Sequence, residues 1–221
     1  MKIGFVVAME EEYAPFIGRL GKEIAHEELC GAKFCTYESD ENIVVLGQSG
    51  IGEIAAAATT ALLLGKFGCD FIVNFGLVGS LNSATAGTLV CVKDVVHYDC
   101  DVTAFGYAPG QPAGMDVAYF ETDTRARASV LSKLPALRLA SGDKFISDSA
   151  LKNKLVVDFS ADICDMEGAA IAITCTRAGT PFSLIKYVSD AADEAAAETF
   201  SLNKTKAFGT AVDLVLSLLR A

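Results

Sequence analysis

Short apolar runs that read as strands alternate with alanine-rich runs that read as helices along nearly all 221 residues. Lys2 to Ala8 is strand-like, Glu10 to Leu20 reads as a helix with acids in its first turn, and Cys35 to Glu38 with Ile43 to Leu46 suggests a hairpin. Glu53 to Leu64 predicts a buried helix stopped by Gly65, Phe71 to Phe75 a short strand, and Thr88 to Val96 another extended run. Val102 to Met115 is rich in Gly, Pro and aromatics and reads as a loop. Ala126 to Lys133 reads as helical, Leu137 to Ala140 as extended, and Asn203 to Leu219 as an amphipathic closing helix. Such alternation predicts an α/β sandwich with a substantially parallel sheet. At 52% apolar content the chain can bury the core of one domain spanning residues 1–221.

In open α/β sheets, ligands bind beyond the carboxyl ends of the strands. Two such ends carry acids. The run Asp162 to Cys164 delivers Asp165, Met166 and Glu167 to the mouth of an alanine-rich helix, and the strand-like Phe182 to Val188 leads into Ser189 and Asp190. Glu167 alone would be explained by the positive end of a helix dipole, and Asp190 alone by capping of the next turn. Two acids ending neighbouring apolar segments make a site as good a reading as those two separate roles.

Charge and composition exclude several functions. A net charge of −10 disfavours a nucleic-acid partner, because affinity for phosphate backbones comes from Lys and Arg. No apolar run approaches the roughly 18 residues of a membrane span, and the apolar start Met1 to Met9 is cut short by Glu10-Glu11-Glu12, so a cytoplasmic location is expected. Seven scattered cysteines without a C-x-x-C pair read as reduced thiols packed as small hydrophobes. Only His26 and His97 are present, so neither a Cys–His nucleophile nor a zinc site is expected, and no cofactor is called for. Any proton transfer falls to carboxylates.

Two loops add weaker signals. Gly47-Gln48-Ser49-Gly50-Ile51-Gly52 before a helix suits a backbone cradle for a hydroxylated or anionic ligand, although its glycine order is not that of a dinucleotide fingerprint. Asn74-Phe75-Gly76-Leu77-Val78-Gly79-Ser80, taken alone, reads as a glycine turn closing a strand.

In order and spacing, these pieces resemble the purine and uridine phosphorylase superfamily, and within it the 5'-methylthioadenosine/S-adenosylhomocysteine nucleosidases. The resemblance runs through Lys2-Ile3-Gly4 with Ala8 to Glu12, Ser49 to Gly52, Asn74 to Gly79, Asp101-Val102-Thr103-Ala104-Phe105-Gly106-Tyr107 with Gly110-Gln111, Ser141 to Asp143 with Phe145-Ile146, Met166-Glu167, and Ser189-Asp190 with Ala192-Asp193. It implies a three-layer α/β/α sandwich around a mixed central sheet, and hydrolysis of an N-glycosidic bond to adenine. By the same resemblance Asp190 protonates purine N7, Glu12 activates water, and Glu167 grips the ribose hydroxyls with help from Met166. Phe145 stacks on the base and Ile146 offers backbone hydrogen bonds. Met9, Ile51, Met166 and Phe200 line a 5'-alkylthio pocket; Asp165, Leu77, Gly79 and Ser189 complete the surround; and Val102, Phe105 and Pro112 reach across a homodimer interface.

The chain departs from the family pattern at Leu77, where a serine is usual, at Asp165, usually glutamate, and at Val7, usually glycine. Between Val44 and Val92 the only basic residue is Lys66, away from both glycine loops, which favours water over phosphate as co-substrate. Alternatives are a purine nucleoside phosphorylase, a nucleosidase for aminofutalosine or 5'-deoxyadenosine, and a non-catalytic nucleoside-binding or storage relative.

Overall fold

The computed structural model describes residues 1–39, 41–82, 84–123, 130–204 and 208–220. The strands are β1 (Lys2–Val7), β2 (Lys22–Leu29), β3 (Ala32–Ser39), β4 (Asn42–Gln48), β5 (Phe71–Ser80), β6 (Leu89–His97), β7 (Tyr119–Glu121), β8 (Ala136–Ser141), β9 (Ile163–Asp165) and β10 (Phe182–Asp190). The helices are α1 (Glu10–Tyr13), α2 (Glu53–Gly65), α3 (Ser149–Phe159), α4 (Gly168–Ala178), α5 (Ala196–Asn203) and α6 (Phe208–Leu216).

All the strands join one mixed sheet in the order β10-β6-β8-β9-β5-β1-β4-β3-β2, with β7 beside β6. Because β10 also pairs with β5, strands β5, β9, β8, β6 and β10 close into a ring, and β1 to β4 extend it as an open wing. The β1, β4, β5 and β10 pairings are parallel, whereas the β2, β3, β4 hairpins are antiparallel.

Side chains alternate across the sheet as a period of two requires. Ile3, Phe5 and Val7 of β1 point to one face, where Tyr13, Phe16, Val212 and Val215 cover them; Val6 points to the other, with Ala56, Leu63 and the alanines of α4. Helices therefore cover both faces, as a sandwich demands. Among the described residues no helix is long and apolar enough to cross a membrane.

Several expected elements differ. The helix from Glu10 ends at Tyr13 and tightens into a 3-10 turn over Ala14–Phe16; Pro15 supplies no N–H to continue an α-helical ladder. Lys22–Leu29 forms an edge strand not anticipated, because its exposed charged residues hide the apolar signal. The expected helix over 126–133 lies outside the described residues for 126–129, and Val130–Lys133 is a 3-10 turn. The closing helix does not begin at Asn203: that residue ends α5 and its Nδ2 donates to the Ser189 carbonyl at 2.8 Å, and residues 205–207 lie outside the described set. The glycines of Asn74 to Ser80 do not form a turn either. They sit inside β5, whose ten residues are all buried.

Phe16 carries the short first helix onto the sheet, its ring 5.5 Å from Phe5 and 5.8 Å from Phe75 with no solvent exposure. Replacing it with alanine removes that wedge, and a loss of about 3–5 kcal/mol is expected in urea unfolding.

Candidate active site

The carboxyl ends of β1, β5, β9 and β10 open onto one cavity of about 320 Å³. Its acids are Glu12, Asp165, Glu167 and Asp190; its apolar lining includes Met9, Ile51, Leu77, Phe145, Met166 and Phe200, with Gly79, Ile146 and Ser189 between them. Every expected substrate-facing residue is thus brought together there. Ala8, Val78, Lys144 and Cys164 also line it and were not anticipated. Val102, Phe105 and Pro112 do not reach this cavity; Phe105 is 81% exposed on a 3-10 turn over Thr103–Phe105.

Glu12 is held from three sides. Its Oε2 accepts the Ala8 and Met9 N–H groups at 2.8 and 3.1 Å, and Oε1 accepts the Leu77 N–H at 2.9 Å. Its helix neighbours behave differently: Glu10 faces Lys33 and Glu11 faces Lys204. Burial raises the Glu12 pKa, with the Leu77, Met9 and Ala8 N–H groups and the Lys186 charge working against it. The Leu77 backbone supports Glu12 whatever the side chain, so losing the usual serine hydroxyl leaves this contact intact.

Glu167 stands at the N-cap of α4 and accepts the Gly52 N–H at 2.9 Å. One donor of the Ser49 to Gly52 cradle is therefore spent on a protein carboxylate. Burial, then the neighbouring Asp165 charge, pushes the Glu167 carboxyl up to about 8, against Lys186 and the Gly52 N–H.

Asp190 ends β10 and is 3% exposed. Ser189 Oγ donates to its Oδ2 at 2.6 Å and the Ala192 N–H to its Oδ1 at 2.9 Å. Burial raises its pKa, partly offset by those two hydrogen bonds. A Cβ at Gly79 would lie 3.0 Å from both Ala192 Cβ and Asp190 Oδ1, so a side chain here would press on the acid and on the loop that follows it. On the opposite wall, the Phe145 and Phe200 rings meet edge to face at 5.7 Å.

Sequence reasoning missed Lys186, 1% exposed, with Nζ 2.6 Å from Asp165 Oδ2. The available signal was a lysine interrupting an apolar strand four residues before Asp190. Its presence amends the charge argument on phosphate: a cation does lie beside the Gly76 segment, but it is already paired.

A second polar group lies outside the cavity lining. His97 Nε2 is 2.7 Å from Glu53 Oε2 and 2.9 Å from Asp99 Oδ1. These three ligand atoms converge as those of a metal site do, but an imidazolium shared between two carboxylates accounts for the same geometry. Among the described residues no disulfide forms, and Cys69, Cys91, Cys164 and Cys175 are buried.

Fold and cavity together define a nucleoside phosphorylase-like protein: the profile of the phosphorylase superfamily matches residues 2–220. A 5'-methylthioadenosine/S-adenosylhomocysteine nucleosidase of Geobacillus thermodenitrificans is 39% identical, covering 99% of this chain and 96% of its own. The nucleosidase of that name from S. pneumoniae, solved with the transition-state inhibitor MT-ImmA, superposes with a TM-score of 0.92 at 31% identity, covering 100% of this chain and 99% of that one. The futalosine hydrolase of Helicobacter pylori superposes with a TM-score of 0.93 at 27% identity, covering 100% and 97%. The chain belongs to the phosphorylase superfamily and, within it, to the family of 5'-methylthioadenosine/S-adenosylhomocysteine nucleosidases.

His97 generates a stability prediction. Burial opposes its protonation, but the hydrogen bond and charge of Glu53 and the charge of Asp99 outweigh burial and raise its pKa. A raised folded value means that the stabilisation is complete below the unfolded value of about 6.5 and is lost as pH rises through the folded one. His97→Gln is expected to lower Tm more at pH 6 than at pH 9 in paired thermal melts.

Proposed function

We propose that this chain hydrolyses the N-glycosidic bond of 5'-methylthioadenosine and S-adenosylhomocysteine, releasing adenine and the 5-thioribose product. The observation that carries this reading is the convergence of Glu12, Glu167 and Asp190 on one apolar-walled cavity. The bond breaks through an oxocarbenium-like sugar, so the leaving base needs a proton and the nucleophile needs a base, the same division of labour as between paired carboxylates in glycoside hydrolysis.

Asp190 is the general acid to purine N7. Its burial supports the role, since a carboxyl with a raised pKa retains its proton closer to neutral pH. Glu12 is the base that draws a proton from water. Its three backbone donors hold the carboxylate in a single orientation. Glu167, with Met166, binds the ribose hydroxyls. Phe145 stacks on the purine against Phe200, and the Ile146 backbone meets the base edge. Met9, Ile51, Met166 and Phe200 receive the 5'-alkylthio group.

The protein acts as a homodimer in which Val102, Phe105 and Pro112 of one protomer complete its partner's cavity. The strongly exposed Phe105 and Ile51 support this, as apolar side chains of that size gain by being covered. Residues 1–221 work as one domain, in the cytoplasm, with a nucleoside substrate and water as small-molecule partners.

Water is favoured over phosphate: Lys186 is neutralised by Asp165 and Lys66 pairs with Glu27, which leaves Lys144 as the single cation lining the cavity among the described residues. Retention of all three acids favours an enzyme over a nucleoside-binding or storage relative. The likeness to a futalosine hydrolase keeps a larger 5' substituent as the second reading.

Adenine release from 5'-methylthioadenosine in phosphate-free buffer is expected for the parent, with a fall of about 10²–10⁴ in kcat/KM for Asp190→Asn. An equally active variant would remove Asp190 from the acid role. Ribose 1-phosphate formation stimulated by phosphate would turn the assignment to a phosphorylase.

A further inference from the structure

The charges around the cavity are sorted by depth. Its acids, Glu12, Asp165, Glu167 and Asp190, are all buried, none more than 9% exposed. Lys144, the single cation among the described lining residues, is exposed and stands at the rim. Among the described residues its ammonium has neither a hydrogen bond nor an ion pair, whereas Lys33, Lys66, Lys186 and Lys204 each face a carboxylate.

The backbone that carries Lys144 is fixed. The Gly142 N–H donates to the Asp165 carbonyl and the Asp143 N–H to Asp99 Oδ2, both at 3.2 Å, and the Lys144 N–H turns back to the Gly142 carbonyl at 2.7 Å. The neighbouring acid, Asp143, is occupied elsewhere: its Oδ1 accepts the Glu53 N–H at 2.7 Å. A Cβ built on Gly52 would lie 3.0 Å from that same oxygen, so the segment from Gly142 lies directly against the Ile51–Gly52 loop. Ile51 is 60% exposed and Phe145 43% exposed, which leaves the lip of the cavity open where Lys144 joins them.

In the hydrolytic reading the ribose sits at Glu167 and the 5' substituent runs along Met9, Ile51 and Phe200. A substituent longer than methylthio leaves the buried acids behind and emerges at this lip. An anionic group held deep in the cavity would meet the acids, whereas one at the end of a long 5' arm meets the ammonium.

We propose that Lys144 is a specificity-determining residue: its ammonium pairs with a carboxylate at the far end of a long 5'-thio substituent, such as the amino-acid carboxylate of S-adenosylhomocysteine. This inference rests on the hydrolytic reading above and ranks substrates within it. A lysine makes such a contact as a point charge on a flexible stem, so arms of different length are accommodated. An exposed ion pair is weak and screened by salt, so Lys144 sets a preference and not a requirement.

The test is kcat/KM for adenine release by the full chain at low ionic strength, with each value expressed as a ratio to that for 5'-methylthioadenosine. S-adenosylhomocysteine ends in a carboxylate and an ammonium, its 5'-carboxypropylthio analogue in the carboxylate alone, and its 5'-aminopropylthio analogue in the ammonium alone. Lys144→Met is expected to lower the ratio for the carboxypropylthio nucleoside about two- to fivefold, the range of an exposed ion pair, and to lower that for S-adenosylhomocysteine in the same direction. Lys144→Glu lowers both further and raises the ratio for the aminopropylthio nucleoside, while Lys144→Arg keeps the parental ratios. The gap between the parent and Lys144→Met closes as NaCl is raised to about 1 M, where the Debye length is about 3 Å. Ratios unmoved by Lys144→Met and Lys144→Glu in an active parent overturn the inference alone. So does an equal fall for the carboxylate-ended and amine-ended arms, since Lys144 would then pack against the arm without reading its charge. A parent that releases no adenine from any of the four nucleosides overturns the hydrolytic reading and this inference with it.

Discussion

The parallel pairing of β5 with β10 is the constraint on which the site depends. Its register sets Leu77 beside Tyr187 and Gly79 beside Asp190. Both strands are buried throughout, so neither can slip by a residue without turning an entire apolar face toward the wrong layer. The same register brings Gly76 alongside Lys186, delivers the Leu77 N–H to Glu12, and leaves Gly79 open to the Asp190 carboxylate. Glycines within a strand weaken it, and here a Cβ would crowd the Glu12 and Asp190 carboxylate oxygens, at 3.1 and 3.0 Å.

Around that pairing the protein collects acids in a place that resists their charge. Glu12, Glu167 and Asp190 all have raised pKa values, and burial is the foremost cause in each. What separates them is their hydrogen bonding. Glu12 receives three backbone donors and lies near a cation, an environment that favours the carboxylate. Asp190 receives one backbone donor and one hydroxyl, and the charges acting on it are Asp193 and Lys152. In the proposed mechanism a base and an acid are thus differentiated by what surrounds two chemically similar groups, the general way one fold runs both halves of a proton transfer.

The glycine-rich loop before α2 follows the same economy. Gly50 and Gly52 both have positive φ, which only glycine adopts without strain, and the turn they allow aims the Gly52 N–H at Glu167 across 115 residues of sequence. The loop anchors a protein acid as well as bordering the cavity. Family membership fits this arrangement, since the chemistry of such a site resides in side chains gathered at the carboxyl ends of the strands.

The alternation of apolar runs was sufficient to predict the layered α/β class, because periodicity along the chain reports which residues are buried. The identities of the acids and their places at the ends of apolar runs were equally legible in the residues themselves. Pairing was not. Gly76 and Gly79 look like a turn to any local reading, and only the β10 partner reveals them as strand. Lys186 looks like an ordinary solvated lysine until Asp165, 21 residues earlier, is brought against it. The short first helix likewise owes its position to Phe16 packing between Phe5 and Phe75. Local sequence determines propensity and burial pattern, whereas charge compensation and hydrogen bonding depend on which distant segments become neighbours, and that is decided by strand register and core packing.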